Sequence, residues 1–161
     1  MFLRVFFGVI VVLVFASASS AQVDIINVDA LKARLANPSD TTFVVNMWAT
    51  WCKPCVAELP YFERLSREMA ANRYVKVLLV SVDAKKDRET KLEPFLSKRG
   101  ITAEVVLLSP VGVDGVDSSW SGAIPATLFA KGPRRGFFEQ EFTYDDLKRT
   151  LDDFLKSATK P

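Results

Sequence analysis

The sequence predicts an α/β domain in which a central mixed β-sheet is flanked by helices on both faces. Three observations predict it. Two near-continuous apolar runs, TFVVNMW at 42–48 and YVKVLLVSV at 74–82, read as strands buried on both faces, as parallel strands are. Segments of helical period alternate with them, which is the pattern of βαβ units. A strand, a short loop and a second strand then precede an amphipathic C-terminal segment, so the sheet closes on a hairpin. With 161 residues, 49% of them hydrophobic and 25% charged, the chain is long enough for one domain with a substantial core.

The first 21 residues, MFLRVFFGVIVVLVFASASSA, stand apart from that pattern. Arg4 precedes an apolar run from Val5 to Ala16, and small residues follow up to Ala21. This is the three-part layout of a secretory signal, and the run is shorter than the ~20 residues of a spanning helix. Residues 1–21 are therefore expected to be a signal peptide, or, if uncleaved, a membrane anchor. Residues 22–161 form the domain, placed in the periplasm or otherwise outside the cytoplasm. No cysteine directly follows the apolar run, which argues against a lipid anchor. Net charge is only +2, and Arg4 supplies one of the positives, so neither nucleic acid nor an anionic surface is an expected partner.

Within the domain, a short strand at Val23 to Ile26 leads to a helix from Val28 to Leu35. Leu31 and Leu35 lie at an i, i+4 spacing there, and Asn37-Pro38 ends the helix. After the strand 42–48 a helix runs from about Cys52 to Ala71. Pro54 suits its first turn and Pro60 should kink it. After the strand 74–82, the charged segment Lys86 to Arg99 reads as a helix interrupted by Pro94 and closed by Gly100. Glu104 to Leu108 reads as a short strand and Pro110 to Gly122 as irregular. Pro125 to Ala130 and Gly136 to Phe142 flank Lys131-Gly132-Pro133-Arg134-Arg135 as a hairpin. The last helix starts at a Thr143 cap and carries Tyr144, Leu147, Leu151, Phe154 and Leu155 as its apolar stripe.

The chemistry concentrates in WCKPCVAELP at 51–60, which holds both cysteines of the chain. Histidine is absent, which removes Ser-His and Cys-His nucleophile pairs and histidine-based metal sites. Two cysteines cannot fill a closed zinc site, so only a two-coordinate soft ion such as Cu(I), or a site shared between chains, stays open as a metal reading. Cys52 follows a buried strand and opens a helix, where unpaired N–H groups and the helix dipole favour a thiolate. The two-residue spacing lets the sulfurs close a small disulfide, and a ring that small does little to restrain an unfolded chain. A redox pair is the reading that fits, with a Cu(I) carrier or an inert structural pair as alternatives.

Glu58 adds a proton donor or acceptor to the pair. At 100° per residue Glu58, Phe62, Leu65 and Met69 share one narrow stripe, while Glu63, Arg64, Arg67 and Glu68 lie on the other side. The carboxyl therefore points inward, one turn from Cys55. Burial would raise its pKa toward neutrality, as a general acid/base for the second thiol requires. The alternative is a glutamate at the stripe's edge that reaches water.

These residues resemble the thioredoxin superfamily, and within it the exported thiol-disulfide oxidoreductases related to TlpA, ResA and the cytochrome c maturation thioredoxins. The resemblance rests on Asn46 to Cys55 (NMWATWCKPC), Glu58, Pro60, Ser81 to Asp83 (SVD) and Ile124 to Thr127 (IPAT), and element order matches over most of 22–156. It implies a thioredoxin-like fold with an added strand and helix, within 104–122, ahead of a strand that starts at a cis proline, Pro125. It implies that Cys52 attacks a substrate disulfide and that Cys55 resolves the mixed disulfide. Trp51, Pro54, Ile124 and Pro125 would contact the bound segment, with the Ile124 backbone pairing in strand fashion. Asn46 occupies the position of a buried aspartate in ordinary thioredoxins, and Glu58 matches the glutamate thought to replace it in the exported branch. Pro54 before Cys55, where strong oxidants carry histidine, implies a reductant. The implied partners are an oxidised protein substrate, such as apocytochrome c or a copper-handling protein, and a membrane thiol reductase that supplies electrons. A monomer without cofactor is expected.

Overall fold

The computed structural model describes residues 22–36, 40–110 and 115–157. The signal segment 1–21 and the Asn37-Pro38 helix stop lie outside the described residues. Among the described residues no helix is long and apolar enough to cross a membrane.

Six short strands form one sheet in the order β1-β4-β3-β2-β5-β6. Its members are β1 (Asp24–Ile26), β2 (Thr42–Trp48), β3 (Val75–Ser81), β4 (Glu104–Leu108), β5 (Ala126–Lys131) and β6 (Arg134–Phe138). The first four run parallel, β5 runs antiparallel to β2, and β6 antiparallel to β5. The sheet is therefore mixed, with β2 at the place where parallel meets antiparallel. All seven residues of β2 are buried, which is why its sequence shows no polar alternation.

The period of two still sorts β2 between two cores. Val44 and Trp48 point to one face, with Cys55, Leu59, Phe62 and Leu65 of helix α2 (Lys53–Met69) and Leu147, Leu151 and Phe154 of helix α4 (Tyr144–Lys156). Phe43, Val45 and Met47 point to the other, with Val28, Leu31 and Leu35 of helix α1 (Val28–Leu35) and with Val116 and Trp120. Asn46 shares the face of Val44 and Trp48, so its amide points at α2.

Caps set the helix ends. The Asn27 side chain accepts from Ala30 N–H ahead of α1, and Thr143 accepts from Asp146 N–H ahead of α4. Gly100, at φ +62°, closes helix α3 (Glu93–Arg99) in the left-handed conformation that glycine tolerates best.

Three local expectations need correction. The segment 86–99 is not one helix broken at Pro94. It is a 3₁₀ turn (Lys85–Asp87), a single π turn (Arg88–Leu92) and α3, with Pro94 in the first turn, where its missing N–H costs nothing. The hairpin loop is only Gly132-Pro133, because Lys131 pairs with Arg134 and both strands run on into the basic segment. Gly132, at φ +55°, provides the positive φ that a two-residue hairpin turn requires. β6 ends at Phe138, so Phe142 belongs to the approach to α4. Of the strand and helix expected within 104–122, the strand is β4, while 111–114 lie outside the described residues and 116–122 forms turns and bends rather than a helix.

Candidate active site

β2 delivers the chain to the site. It ends at Trp48, turns through 49–51 and starts α2, with Cys52 as the N-cap in extended conformation (φ −85°, ψ 101°). The Cys52 Sγ accepts from the Cys55 N–H at 3.3 Å, so a sulfur does the work a serine or aspartate oxygen usually does at this position. The same N–H groups and the helix dipole would favour a thiolate there. Cys52 and Cys55 are joined in a disulfide with their Cα atoms 5.3 Å apart. Cys52 keeps 6% of its surface exposed and Cys55 none. The first sulfur is therefore the one a substrate can approach.

Around that sulfur lie the other predicted contact residues. Trp51 is 66% exposed beside it, and Pro54 is exposed in the first turn of α2. The Ile124–Pro125 peptide is cis, and the Ile124 carbonyl oxygen stands 3.9 Å from Cys52 Sγ. Ile124 and Pro125 are both half-buried, leading directly into β5. The antiparallel pairing of β5 with β2 brings residue 124, distant in sequence, to the N-terminus of α2.

Glu58 is buried completely. Its Oε1 accepts from Asn46 Nδ2 at 2.7 Å, and its Oε2 accepts from the Phe142 N–H at 2.8 Å. Burial raises its pKa from 4.5 to about 7, outweighing the Phe142 and Asn46 donors that lower it, while the nearby Glu141 charge adds to the rise. Two neutral donors stabilise the charge only partly, so the group is poised to exchange a proton at neutral pH. Phe142 is seated by aromatic packing with Phe129 and Phe138, at centroid distances of 6.3 and 5.9 Å, and this fixes its N–H on the carboxyl.

The inward stripe of α2 places Glu58, Phe62 and Leu65 in the core and leaves Met69 half-buried. Glu63, expected on the outer side, is also buried, at 3% exposure. The segment following α3 covers it and supplies donors: Thr102 N–H at 3.0 Å, Thr102 Oγ1 at 2.5 Å and Ala103 N–H at 2.9 Å. A helix packed on two sides buries more than one stripe.

Sequence reasoning gave Asp83 no role. Its carboxylate is buried and accepts from Thr50 N–H at 3.0 Å, Thr50 Oγ1 at 2.6 Å and Ser81 Oγ at 2.8 Å. It ties the exit of β3 to the turn that presents Trp51 and Cys52. The signal was the SVD segment itself, an acid directly after an apolar strand. The Phe142 contact was equally unread, since a backbone donor leaves no mark on residue type.

The comparisons with known proteins agree with this geometry. Residues 9–111 match the AhpC/TSA family. The chain is 30% identical over 130 residues to the thiol-disulfide oxidoreductase ResA of Oceanobacillus iheyensis, covering 78% of this chain and 64% of that protein. It is 34% identical over 113 residues to the thiol:disulfide interchange protein DsbE of Haemophilus influenzae, covering 70% and 56%. The chain thus spans somewhat less than two thirds of the length of these two relatives. Among solved structures, a DsbF homologue from Corynebacterium diphtheriae superposes with a TM-score of 0.61 at 23% identity, over 74% of this chain and 75% of that one. The fold is thioredoxin-like, and with the family model matched across more than half its length, the chain belongs to the AhpC/TSA family.

Proposed function

We propose that this chain is an exported thiol-disulfide oxidoreductase that reduces disulfides of extracytoplasmic proteins through Cys52 and Cys55. The observation that carries the reading is the position of the disulfide: at the N-terminus of α2, with its more accessible sulfur 3.9 Å from the carbonyl before a cis proline. That carbonyl is a backbone acceptor placed to pair with a substrate segment docking across Cys52.

In the reduced form Cys52 attacks as the thiolate, breaking the substrate S–S bond and forming a mixed disulfide while the first substrate sulfur leaves as a thiolate and takes a proton. Glu58 as carboxylate then takes the Cys55 proton. The Cys55 thiolate attacks Cys52 Sγ, closes the Cys52–Cys55 bond and expels the second substrate sulfur, which is protonated in turn. Two electrons pass to substrate, and the protein ends as the disulfide. Trp51 and Pro54 form the exposed rim against which the substrate rests. Restoring the dithiol outside the cytoplasm takes a membrane thiol reductase as electron donor, with 1–21 serving as export signal or tether. Apocytochrome c with its haem-binding cysteines and copper-handling proteins are the candidate substrate classes that the sequence resemblance implies.

The test is to trap mixed disulfides on a Cys55→Ser variant and to measure the midpoint potential of the wild-type pair. Capture of exported cysteine-pair proteins, with a potential nearer about −270 mV than about −120 mV, is expected. A potential at the oxidising end would overturn the assignment as a reductant.

A further inference from the structure

Asn46 carries a buried acceptor with nothing to accept. Its Nδ2 donates to Glu58 Oε1 at 2.7 Å and, more weakly, to Thr127 Oγ1 at 3.4 Å, while its Oδ1 has no hydrogen-bond partner. Asn46, Glu58 and Thr127 are all completely buried. An unpaired buried carbonyl is costly, and its presence in the central strand asks for a state in which it is used.

We propose that Asn46 is a positioning residue that serves both protonation states of Glu58, turning Nδ2 toward the carboxylate and Oδ1 toward the carboxyl. The inference rests on the reading of Glu58 as the proton partner of Cys55. An ionised carboxylate only accepts hydrogen bonds, whereas a carboxyl has one O–H to donate. Oε2 is held by a backbone donor, Phe142 N–H, which cannot change its role. A proton taken from Cys55 therefore comes to lie on Oε1, facing the Asn46 amide.

In the present orientation that proton would meet Nδ2, a donor against a donor. A half turn about Cβ–Cγ of Asn46, a broad two-fold torsion, puts Oδ1 in its place and gives the O–H an acceptor. The Thr127 hydroxyl both donates and accepts, so it can follow the turn. Aspartate in this position would accept only and would add a second charge beside Glu58. Leucine would match neither state. The charged group that acts on Glu58 is Glu141, from the approach to α4, and Cys55 lies one helical turn before it on α2. Asn46 on β2, Thr127 on β5 and the Phe142 backbone are uncharged.

The proton balance is closed. Cys55 S–H and Glu58 carboxylate become Cys55 thiolate and Glu58 carboxyl, with the Asn46 amide turned. When the proton leaves for the departing substrate thiolate, the amide turns back.

Nuclear magnetic resonance of the full-length chain, labelled with ¹³C and ¹⁵N, tests this without relying on any variant to fold. The Glu58 carboxyl carbon and the Asn46 side-chain amide are followed together from about pH 4 to about pH 10. The Asn46 amide signals should shift with the same midpoint as the Glu58 carboxyl. In Glu58→Gln, which mimics the neutral acid, they should sit near the low-pH limit and lose their pH dependence. A titrating Glu58 beside unmoved Asn46 signals would overturn the inference and leave the proton partnership intact. A Glu58 that does not titrate would overturn both. In mixed-disulfide resolution, Asn46→Leu should slow the step roughly tenfold, the worth of one buried hydrogen bond, and shift its pH midpoint. A slower step with an unshifted midpoint would reduce Asn46 to a packing role.

Discussion

Helix α2 buries two glutamates, at positions 58 and 63, and surrounds them in opposite ways. Glu63 receives two backbone N–H groups and a hydroxyl from Thr102 and Ala103, and Arg67 Nε stands 3.7 Å away. Glu58 receives one backbone N–H and one side-chain amide, with an acidic residue nearby and no cation paired to it among the described residues. Burial is shared, and the number and kind of donors differ. Glu63 anchors the segment after α3 to the active-site helix, while Glu58 keeps an ionisation that small changes nearby can move.

The comparison breaks most sharply at Glu63. Glu63→Leu leaves the buried Ala103 N–H and the partly buried Thr102 N–H and hydroxyl without their acceptor, and a loss of about 3–4 kcal/mol in urea unfolding is expected. The midpoint potential should not move. A loss below about 1 kcal/mol would mean that the anchor is dispensable.

Glu58→Gln should produce the next largest effect, in its pH dependence. The folded protein holds the Glu58 proton up to about pH 7, whereas the unfolded chain releases it near 4.5. Between those values the folded state binds more protons, so wild-type stability falls as pH rises through the window, by about 3 kcal/mol in total. The glutamine variant should lack that fall and gain on wild type at alkaline pH. Parallel stability curves for the two proteins would show that Glu58 is not held neutral by the fold.

Asp83→Asn is the mildest change. It keeps an acceptor for Thr50 but loses charge-assisted bonds, so a loss of about 1–2 kcal/mol is expected, together with faster hydrogen exchange at the Thr50 amide. Unchanged exchange would separate Asp83 from the positioning of the Cys52 turn.

The boundaries of α1, β2 and β4 could be read from the sequence because hydrophobic period and caps are local signals: Leu31 with Leu35, and the unbroken apolar run of β2. The stripe that buries Glu58 was readable for the same reason. The helical wheel puts Glu63 on the outer side because period alone carries no information about what packs there, and what covers it is the segment after α3, a tertiary fact. The segment 86–99 differs from expectation because charged residues at mixed spacing do not distinguish a 3₁₀ turn and a π turn from an α-helix. At the site, residue types pointed to the cysteines, Glu58 and the proline. The Phe142 N–H and the unpaired Asn46 carbonyl belong to atoms whose partners only folding assigns.

The most direct test of the account is the rate at which the reduced protein reduces a model protein disulfide, measured against pH for wild type and Glu58→Gln. The account predicts an inflection in the neutral range for wild type that disappears in the variant, with a rate roughly 100-fold lower near pH 7. Superimposable profiles from two folded, active proteins would contradict it.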